Sequence, residues 1–222
     1  MALARAALAA GTDTLVATPH VSWDWPQNTA ATIAAALTVL RGELETRRLE
    51  LRVLQGAEVA LTRAFDLPDR ELAALTLGGG PWLLVEAPHA RGVSAVEHML
   101  MALAQRGRRI LLAHVERCPA FVDDADLLSR LVGQGMLASV TAGSLTGRFG
   151  RHARAAAKRF IASGLVHNVA SDAHDCDARP PELLRALETE GLGVQASWLA
   201  EQVPQAILVG APLPPAPPWP HR

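Results

Sequence analysis

The chain has 222 residues, of which 50% are hydrophobic, and a formal net charge of −1 from 21 basic and 22 acidic side chains. This length supports one sizeable hydrophobic core, and the balanced charge argues against binding to nucleic acid or to an anionic membrane surface. No window reaches the roughly 18 consecutive apolar residues of a membrane span. We therefore expect one soluble domain over residues 1–210, without a nucleic-acid partner and without membrane insertion.

The two cysteines bear on the redox setting and on whether a cysteine nucleophile is present. Cys118 and Cys176 are too few for a disulfide framework, which indicates a reducing, cytoplasmic setting. A cysteine-dependent phosphatase needs an arginine six residues after its nucleophile, whereas Asp124 and Glu182 occupy those positions. The sequence therefore excludes cysteine-based phosphoryl transfer.

Predicted helices alternate with apolar runs along the chain. The Ala-rich segment 1–10 passes directly into Gly11, so it is interpreted as a helix with a glycine C-cap and not as a signal peptide. A longer amphipathic helix is predicted over 29–48. Ser94 and Glu97 form a predicted capping box. Further helices are predicted over 67–75, 94–106, 124–134, 151–163, 181–190 and 196–202.

The apolar runs between these helices predict buried strands. They cover 14–20, 51–59, 81–86, 109–114, 136–141 and the stretch before Asp172. Strands alternating with helices predict a parallel sheet with right-handed crossovers. Polar side chains appear at the carboxyl ends of several strands, as in a (β/α) barrel, whereas an open doubly wound sheet collects its site at one switch point. We therefore predict an α/β barrel.

The strand ends carry imidazoles and carboxylates without cysteine. These side chains are His20, Glu58, Glu86, His114, Asp172 and His174. Each alone is more often a helix cap or a surface group, but their recurrence at strand ends indicates one shared site. Such donors suit Mn, Fe or Zn, and they are too many for a single ion. The pattern predicts a hydrolytic site with more than one metal ion.

At these residues the chain resembles the polymerase and histidinol phosphatase (PHP) metallohydrolases. More narrowly it is similar to their manganese-dependent tyrosine-protein phosphatase branch, the CpsB/YwqE type associated with capsular and exopolysaccharide regulation. The segments that carry the likeness, in the order of the family, are 17–20, 56–59, 83–86, 113–117, 141–150 and 170–174. The Thr-Ala-Gly-Ser-Leu…Gly-Arg-Phe-Gly stretch at 141–150 is the most specific to the branch.

The resemblance implies a distorted, TIM-like PHP barrel that binds two or three Mn²⁺ ions, or alternatively Fe or Zn, through the six strand-end residues. It also implies that Arg117 and Arg179 bind phosphate and that His174, or else His20, acts as the general acid. The implied substrate is a phosphotyrosine protein, the tail of a tyrosine autokinase. The alternatives are a phosphatase for a small phosphomonoester such as histidinol phosphate and a degenerate barrel with a binding role. For Arg117 a salt bridge with Asp123, and for Arg179 a solvated loop position, stay open.

The sequence departs from the family pattern in two places. The family has His-Pro-Glu-Arg where this chain has Val115 after His114, and it begins with an Asp-x-His-x-His strand that this sequence lacks. We therefore expect a barrel without its first strand, with two exposed strand edges and a metal short of two ligands. Either the natural chain starts upstream or the protein is a weakly active member.

Two further segments have less specific interpretations. His89 follows the predicted strand 81–86 and is interpreted as a structural or surface residue. The proline-rich end 211–222 is predicted to be an extended tail without a packed partner.

Overall fold

A computed structural model of the chain describes residues 1–90 and 95–219. Its strands are β1 (Thr14–Ala17), β2 (His20–Val21), β3 (Arg52–Gln55), β4 (Glu58–Ala60), β5 (Trp82–Glu86), β6 (Arg109–Leu112), β7 (Leu137–Thr141) and β8 (Asn168–Ala170). Its α-helices are α1 (Ala2–Ala9), α2 (Ala30–Thr46), α3 (Leu61–Ala64), α4 (Asp69–Ala74), α5 (Val96–Gln105), α6 (Pro119–Asp123), α7 (Ala125–Gly133), α8 (Ala142–Leu145), α9 (Gly150–Ala162), α10 (Leu184–Thr189), α11 (Gly193–Ser197) and α12 (Val203–Val209). Short 3₁₀ turns at Leu77–Gly79 and Val115–Arg117 and a π-helical turn at Trp198–Gln202 complete the regular structure.

The strands pair in parallel and largely in chain order. One sheet has the order β2-β4-β5-β6-β7-β8, and β1 pairs with β3 in a separate ladder. Sequential parallel strands that curl in this way form a half-barrel, which confirms the predicted barrel class. Among the described residues, β2 and β8 are the edges of the larger sheet, as expected for a barrel without one of its strands.

Two of the predicted strands are interrupted. The run over 14–20 breaks into β1 and β2 at Pro19, which has no N–H to donate to a ladder. The run over 51–59 breaks opposite it at Gly56, where a Cβ would lie only 2.9 Å from Val16 Cγ1. The backbone resumes pairing beyond the break, because the Glu58 N–H donates to the Pro19 carbonyl at 3.1 Å. Both breaks fall next to predicted site residues.

The core lies between the sheet and its helices. Phe121 and Phe160 are its largest fully buried side chains, and Leu100 and Leu112 pack in the same cluster. A second, smaller cluster joins α1 and α2 to β3 through residues such as Ala7, Leu44 and Val53. Of the two free cysteines, one is buried and the other exposed.

The helix ends follow the sequence signals where the structure describes them. Thr29 caps α2, and its hydroxyl accepts a hydrogen bond from the Thr32 N–H at 3.2 Å. The predicted capping box on α5 includes Ser94, which lies outside the described residues. Within the described part of the chain, no helix is both long enough and apolar enough to cross a membrane.

The proline-rich end packs against the domain, so the expectation of a tail without a packed partner is wrong for residues 211–219. These residues have no regular secondary structure, as predicted. The Trp219 ring meets Trp198 edge to face with 5.7 Å between centroids, and Trp198 Nε1 donates to the Pro214 carbonyl at 3.1 Å. The Gln195 side-chain amide donates to the Pro218 carbonyl. Carbonyls outside any helix or strand are free to accept such bonds, which composition alone does not reveal.

Candidate metal and phosphate site

Three neighbouring strands bring an imidazole and two carboxylates together at one mouth of the half-barrel. Glu58 opens β4, Glu86 ends β5, and His114 follows β6. His114 Nε2 lies 2.9 Å from Glu58 Oε1 and 3.6 Å from Glu86 Oε1. His20 approaches from β2, with Nδ1 3.6 Å from Glu58 Oε1 and 3.9 Å from Glu86 Oε2. The structure therefore gathers four of the six predicted ligands into one cluster.

The cluster is buried enough to shift its proton equilibria. Glu58 and His114 are each 6% exposed. Burial by itself lowers the pKa of His114, but the hydrogen bond and negative charge of Glu58, with the charge of Glu86, outweigh it and leave that pKa raised. Burial likewise opposes ionisation of Glu86, yet the hydrogen bond to His89 and the neighbouring imidazoles leave the pKa of Glu86 lowered. These contacts therefore favour the charged form of Glu86 and of His114.

His89 also belongs to this cluster, although it was not among the ligands predicted from the sequence. Its Nε2 lies 3.0 Å from Glu86 Oε1, and its ring centroid is 5.3 Å from that of His114. The interpretation of His89 as a structural or surface residue therefore omitted a neighbour of the predicted ligands. The only local signal is its position three residues after Glu86, at the end of β5.

The donor set fits divalent metal ions. Within the described residues, ligand atoms lie within 4.8 Å of one another in two groups that share Glu86: Glu86 with His89 and His114, and Glu86 with His20 and Glu58. A carboxylate shared by two groups is suited to bridging two ions. Imidazole nitrogen and carboxylate oxygen without thiolate favour Mn, Fe or Zn.

Asp172 forms the second half of the site, together with two arginines. Arg117 Nη1 donates to Asp172 Oδ2 at 2.7 Å, and Arg179 Nη2 donates to the same oxygen. His174 Nδ1 lies 3.1 Å from the Asp172 main-chain carbonyl. The salt bridge left open for Arg117 therefore involves Asp172, and Arg179 is paired with this carboxylate instead of standing free in solvent.

The two halves face the same opening. The His20 and His174 rings lie 6.2 Å apart between centroids. Across the described ranges, Asp172 and His174 belong to neither of the two groups of ligand atoms within 4.8 Å. His114 and Asp172 both adopt positive φ, 29° and 50°, which is uncommon for residues other than glycine and typical of strained functional positions.

Phe149 supports both arginine heads. The guanidinium carbon of Arg117 lies 4.5 Å from the ring centroid of Phe149, and that of Arg179 lies 5.5 Å from it. Guanidinium groups over an aromatic face gain cation–π attraction while their N–H groups stay free to donate at the edge. The ring thus orients two cations towards one anion, a role that the sequence did not indicate.

Glu116 fixes the turn that carries Arg117. Its Oε1 accepts from Ser144 Oγ at 2.6 Å and from the Thr141 N–H at 3.1 Å, and the residue is 1% exposed. Burial raises the pKa of Glu116 above its usual range. These bonds tie the turn Val115–Arg117 to the end of β7 and to α8, and so they position Arg117 without contact to the mouth.

The chain matches one family along most of its length. The sequence model of the family described as "Capsular polysaccharide synthesis, CpsB/CapC" matches residues 1–193. The tyrosine-protein phosphatase YwqE of Bacillus subtilis (strain 168) is 33% identical over 193 residues, which cover 85% of this chain and 75% of that protein. The putative tyrosine-protein phosphatase CapC of Staphylococcus aureus is 31% identical over 168 residues, covering 75% and 65%.

A solved structure shows the same fold. A chain from the crystal structures of YwqE from Bacillus subtilis and CpsB from Streptococcus pneumoniae, unique metal-dependent tyrosine phosphatases, superposes with a TM-score of 0.82 at 30% sequence identity. The match covers 99% of this chain and 90% of that one.

Proposed function

Because the chain belongs to the CpsB/CapC family of capsular polysaccharide synthesis, we propose that it is a metal-dependent protein-tyrosine phosphatase. One observation carries the proposal for this chain's own residues. Arg117 and Arg179 converge on a single carboxylate oxygen of Asp172, beside the buried cluster of Glu58, Glu86 and His114. Two guanidinium groups can bind phosphate oxygens through paired hydrogen bonds, and the neighbouring side chains can bind metal ions that promote hydrolysis.

We infer that two or three Mn²⁺ ions are held at this mouth. His20, Glu58, Glu86 and His114 would be their ligands, with Asp172 and His174 as two further ligands. When bound, such ions lower the pKa of water towards neutrality and neutralise charge on phosphate oxygens. The shared position of Glu86 between two groups of donors supports more than one ion.

The two arginines supply further positive charge to neutralise the oxygens of a bound phosphoryl group. Phosphoryl transfer depends mainly on positioning and on neutralising the equatorial oxygens of the transferred group. Arg117 and Arg179 already point their N–H groups at one acceptor, and Phe149 holds both heads in place. A phosphate monoester presents oxygens in the same way as the Asp172 carboxylate, so both arginines can bind it through paired hydrogen bonds.

His174 is suited to proton transfer to the leaving group. Its Nδ1 lies 3.1 Å from the Asp172 carbonyl, which only accepts hydrogen bonds, so a proton on Nδ1 satisfies this contact. Nε2 is then left for one of two roles, metal ligand or, when it also carries a proton, donor to the leaving group. The phenol of tyrosine has a pKa of about 10, which makes it a better leaving group than an alcohol. A phosphotyrosine substrate therefore demands less of this imidazole than an alkyl phosphate does.

We place the activity in the cytoplasm, on the phosphorylated tail of a tyrosine autokinase. The direct test compares a phosphotyrosine peptide with histidinol phosphate, each with added Mn²⁺ and again after a chelator. Preferential, chelator-sensitive release of phosphate from the peptide is expected. Preference for histidinol phosphate would favour the small-molecule alternative, and no hydrolysis of either would support a non-catalytic barrel.

A further inference from the structure

A cleft of about 310 Å³ opens beside the paired arginines. One wall is the stretch from Gly143 to Phe149, and the other runs from Arg179 to Thr189 along α10. Arg179 and Phe149 line this cleft and also belong to the phosphate-binding pair described above. The cleft is therefore continuous with the place where a phosphoryl group would bind.

The charges that line the cleft are predominantly positive. Arg148, Arg179 and Arg185 face a single carboxylate, that of Glu182. Arg179 is paired with Asp172. The side chain of Arg185 is 81% exposed, and its Nη1 lies as far as 4.0 Å from Glu182 Oε1. Such a long contact between exposed groups neutralises little charge.

Arg148 is held in place by neutral acceptors. Its Nη1 donates to the carbonyls of Ala178 at 2.6 Å and of Asp177 at 3.3 Å. In the described part of the chain no ion pair includes Arg148, so these bonds orient the guanidinium and leave its charge available. Besides the paired Arg179, the cleft thus contains one anchored cation, Arg148, and one largely exposed cation, Arg185.

The wall from Gly143 to Phe149 depends on its glycine. A Cβ at Gly143 would lie 3.1 Å from Phe149 Cε2 and 3.2 Å from Arg148 Cδ. The missing side chain lets the phenyl ring and the arginine stem lie against the main chain. The result is an apolar surface next to the cations of the cleft, an arrangement suited to a short acidic side chain.

We propose that this cleft binds a carboxylate side chain within two residues of the phosphotyrosine in the substrate. The inference rests on the proposed phosphatase function. In an extended peptide, residues two apart are about 6.6 Å from each other on the same face, so a flanking Asp or Glu reaches the cleft while the phosphate contacts Arg117 and Arg179. The volume lies at the lower end of ligand pockets, about 300 Å³, which suits one or two side chains.

The experiment compares two phosphotyrosine peptides of equal length, one with Glu two residues before and two residues after the phosphotyrosine and the other with Gln at both positions. We expect the metal-loaded chain to show a kcat/KM about fivefold higher for the acidic peptide, the size of a partly exposed ion pair. The preference should shrink at high salt, because exposed charges are screened. In Arg185→Gln the ratio of the two kcat/KM values should fall towards one.

Arg52→Gln is the matched control. Arg52 is also exposed, but it opens β3 and so lies at the amino end of its strand, away from the site. This variant should keep the wild-type ratio. Equal kcat/KM for the two peptides, an unchanged ratio in Arg185→Gln, or an equal loss in Arg52→Gln would each overturn the proposal.

Hydrolysis of p-nitrophenyl phosphate, which has no flanking residues, distinguishes failure of the acidic subsite from failure of the proposed phosphatase function. Turnover of that small ester with indiscriminate turnover of both peptides would overturn only the acidic subsite. Absence of metal-dependent turnover of the ester and of both peptides would overturn the phosphatase function and the subsite together.

Discussion

His114 Nε2 lies 2.9 Å from Glu58 Oε1, which joins the end of β6 to the start of β4 across the intervening strand β5. Both residues are almost completely buried, so neither carries its charge without the other at acceptable cost. The fold therefore assembles part of the donor set through protein contacts alone. The remaining donors approach the same mouth from neighbouring strands and loops.

Arg117 should contribute mainly to phosphate binding and to transition-state stabilisation. Arg117→Ala is expected to lower kcat/KM for a phosphotyrosine peptide by roughly two orders of magnitude, the usual effect of losing one well-placed donor. Arg117→Lys should recover part of the loss, because lysine keeps the charge without the forked geometry. Steady-state kinetics with Arg130→Ala, an exposed arginine paired with Glu97, as the control would measure this. An unchanged kcat/KM in Arg117→Ala would rule out the assigned role.

Ser144 should stabilise the fold through its hydrogen bond to Glu116. Ser144→Ala removes the 2.6 Å hydrogen bond to the buried Glu116 carboxylate. The free energy of unfolding should fall by about 1–3 kcal/mol, the cost of leaving a buried polar group short of a partner. Urea titration measures the loss. Ser129→Ala, at an exposed serine that bonds only the Ala125 carbonyl, should change it by less than about 0.5 kcal/mol. Equal losses in both variants would contradict the assignment.

His167 should make the fold acid-sensitive. Burial lowers the pKa of His167 to about 4, and its Nδ1 accepts from the Ala138 N–H at 3.3 Å. The unfolded chain takes up a proton near pH 6.5, whereas the folded chain does so only near the lower value. Protonation of His167 therefore does not affect the free energy of unfolding above about pH 6.5. Below that pH the free energy of unfolding decreases as the pH falls towards 4.

His167→Gln removes this proton uptake. Between these pH values, the stability of the wild type should fall relative to that of His167→Gln by up to about 1.4 kcal/mol per pH unit. Urea titrations at several pH values measure the difference, with His152→Gln, at an exposed position, as the control. Parallel curves for the wild type and His167→Gln would show that His167 is not protonated differentially on folding.

Trp219 should anchor the proline-rich end. Trp219→Ala removes an edge-to-face contact with Trp198, worth about 0.5–1.5 kcal/mol beyond the buried area. The midpoint of thermal unfolding should fall, while kcat should stay unchanged because the contact lies outside the site. Trp25→Ala, at a tryptophan that is 50% exposed, is the matched control and should have little effect. A stability loss no greater than that of the control would mean that residues 211–219 do not stabilise the fold.

Strand-end chemistry could be predicted from the sequence because it follows from local pattern. Glu86 ends β5 and His114 follows β6, as the apolar runs indicate, whereas Glu58 lies at the start of β4, just after the break at Gly56. The parallel strands bring all three to one mouth. The sequence predicts that the run 14–20 terminates at Pro19 and His20, but not that pairing resumes as β2, because that depends on the Glu58 N–H of another segment. Boundaries of this kind depend on tertiary contacts.

The residues that sequence reasoning missed act through contacts between distant segments. His89 is three residues from Glu86, but its ring also lies 5.3 Å from that of His114, between centroids, and His114 follows the next strand, β6. Phe149 is central only because two arginines from other loops meet over its ring. Trp219 packs on Trp198 in a stretch whose composition predicts no regular structure, and composition carries no information about such a contact.

The dependence of phosphotyrosine-peptide hydrolysis on Mn²⁺ concentration, compared between the wild type and Glu58→Gln, tests the central claim most directly. Glu97→Gln, which removes an exposed carboxylate paired with Arg130, is the control. The wild type and the control should saturate at the same Mn²⁺ concentration and lose activity with a chelator. Glu58→Gln should require at least about tenfold more Mn²⁺ or stay inactive, since losing even an outer partner of a metal site costs that much. A Glu58→Gln curve that coincides with the wild type would contradict a metal site built on Glu58 and His114.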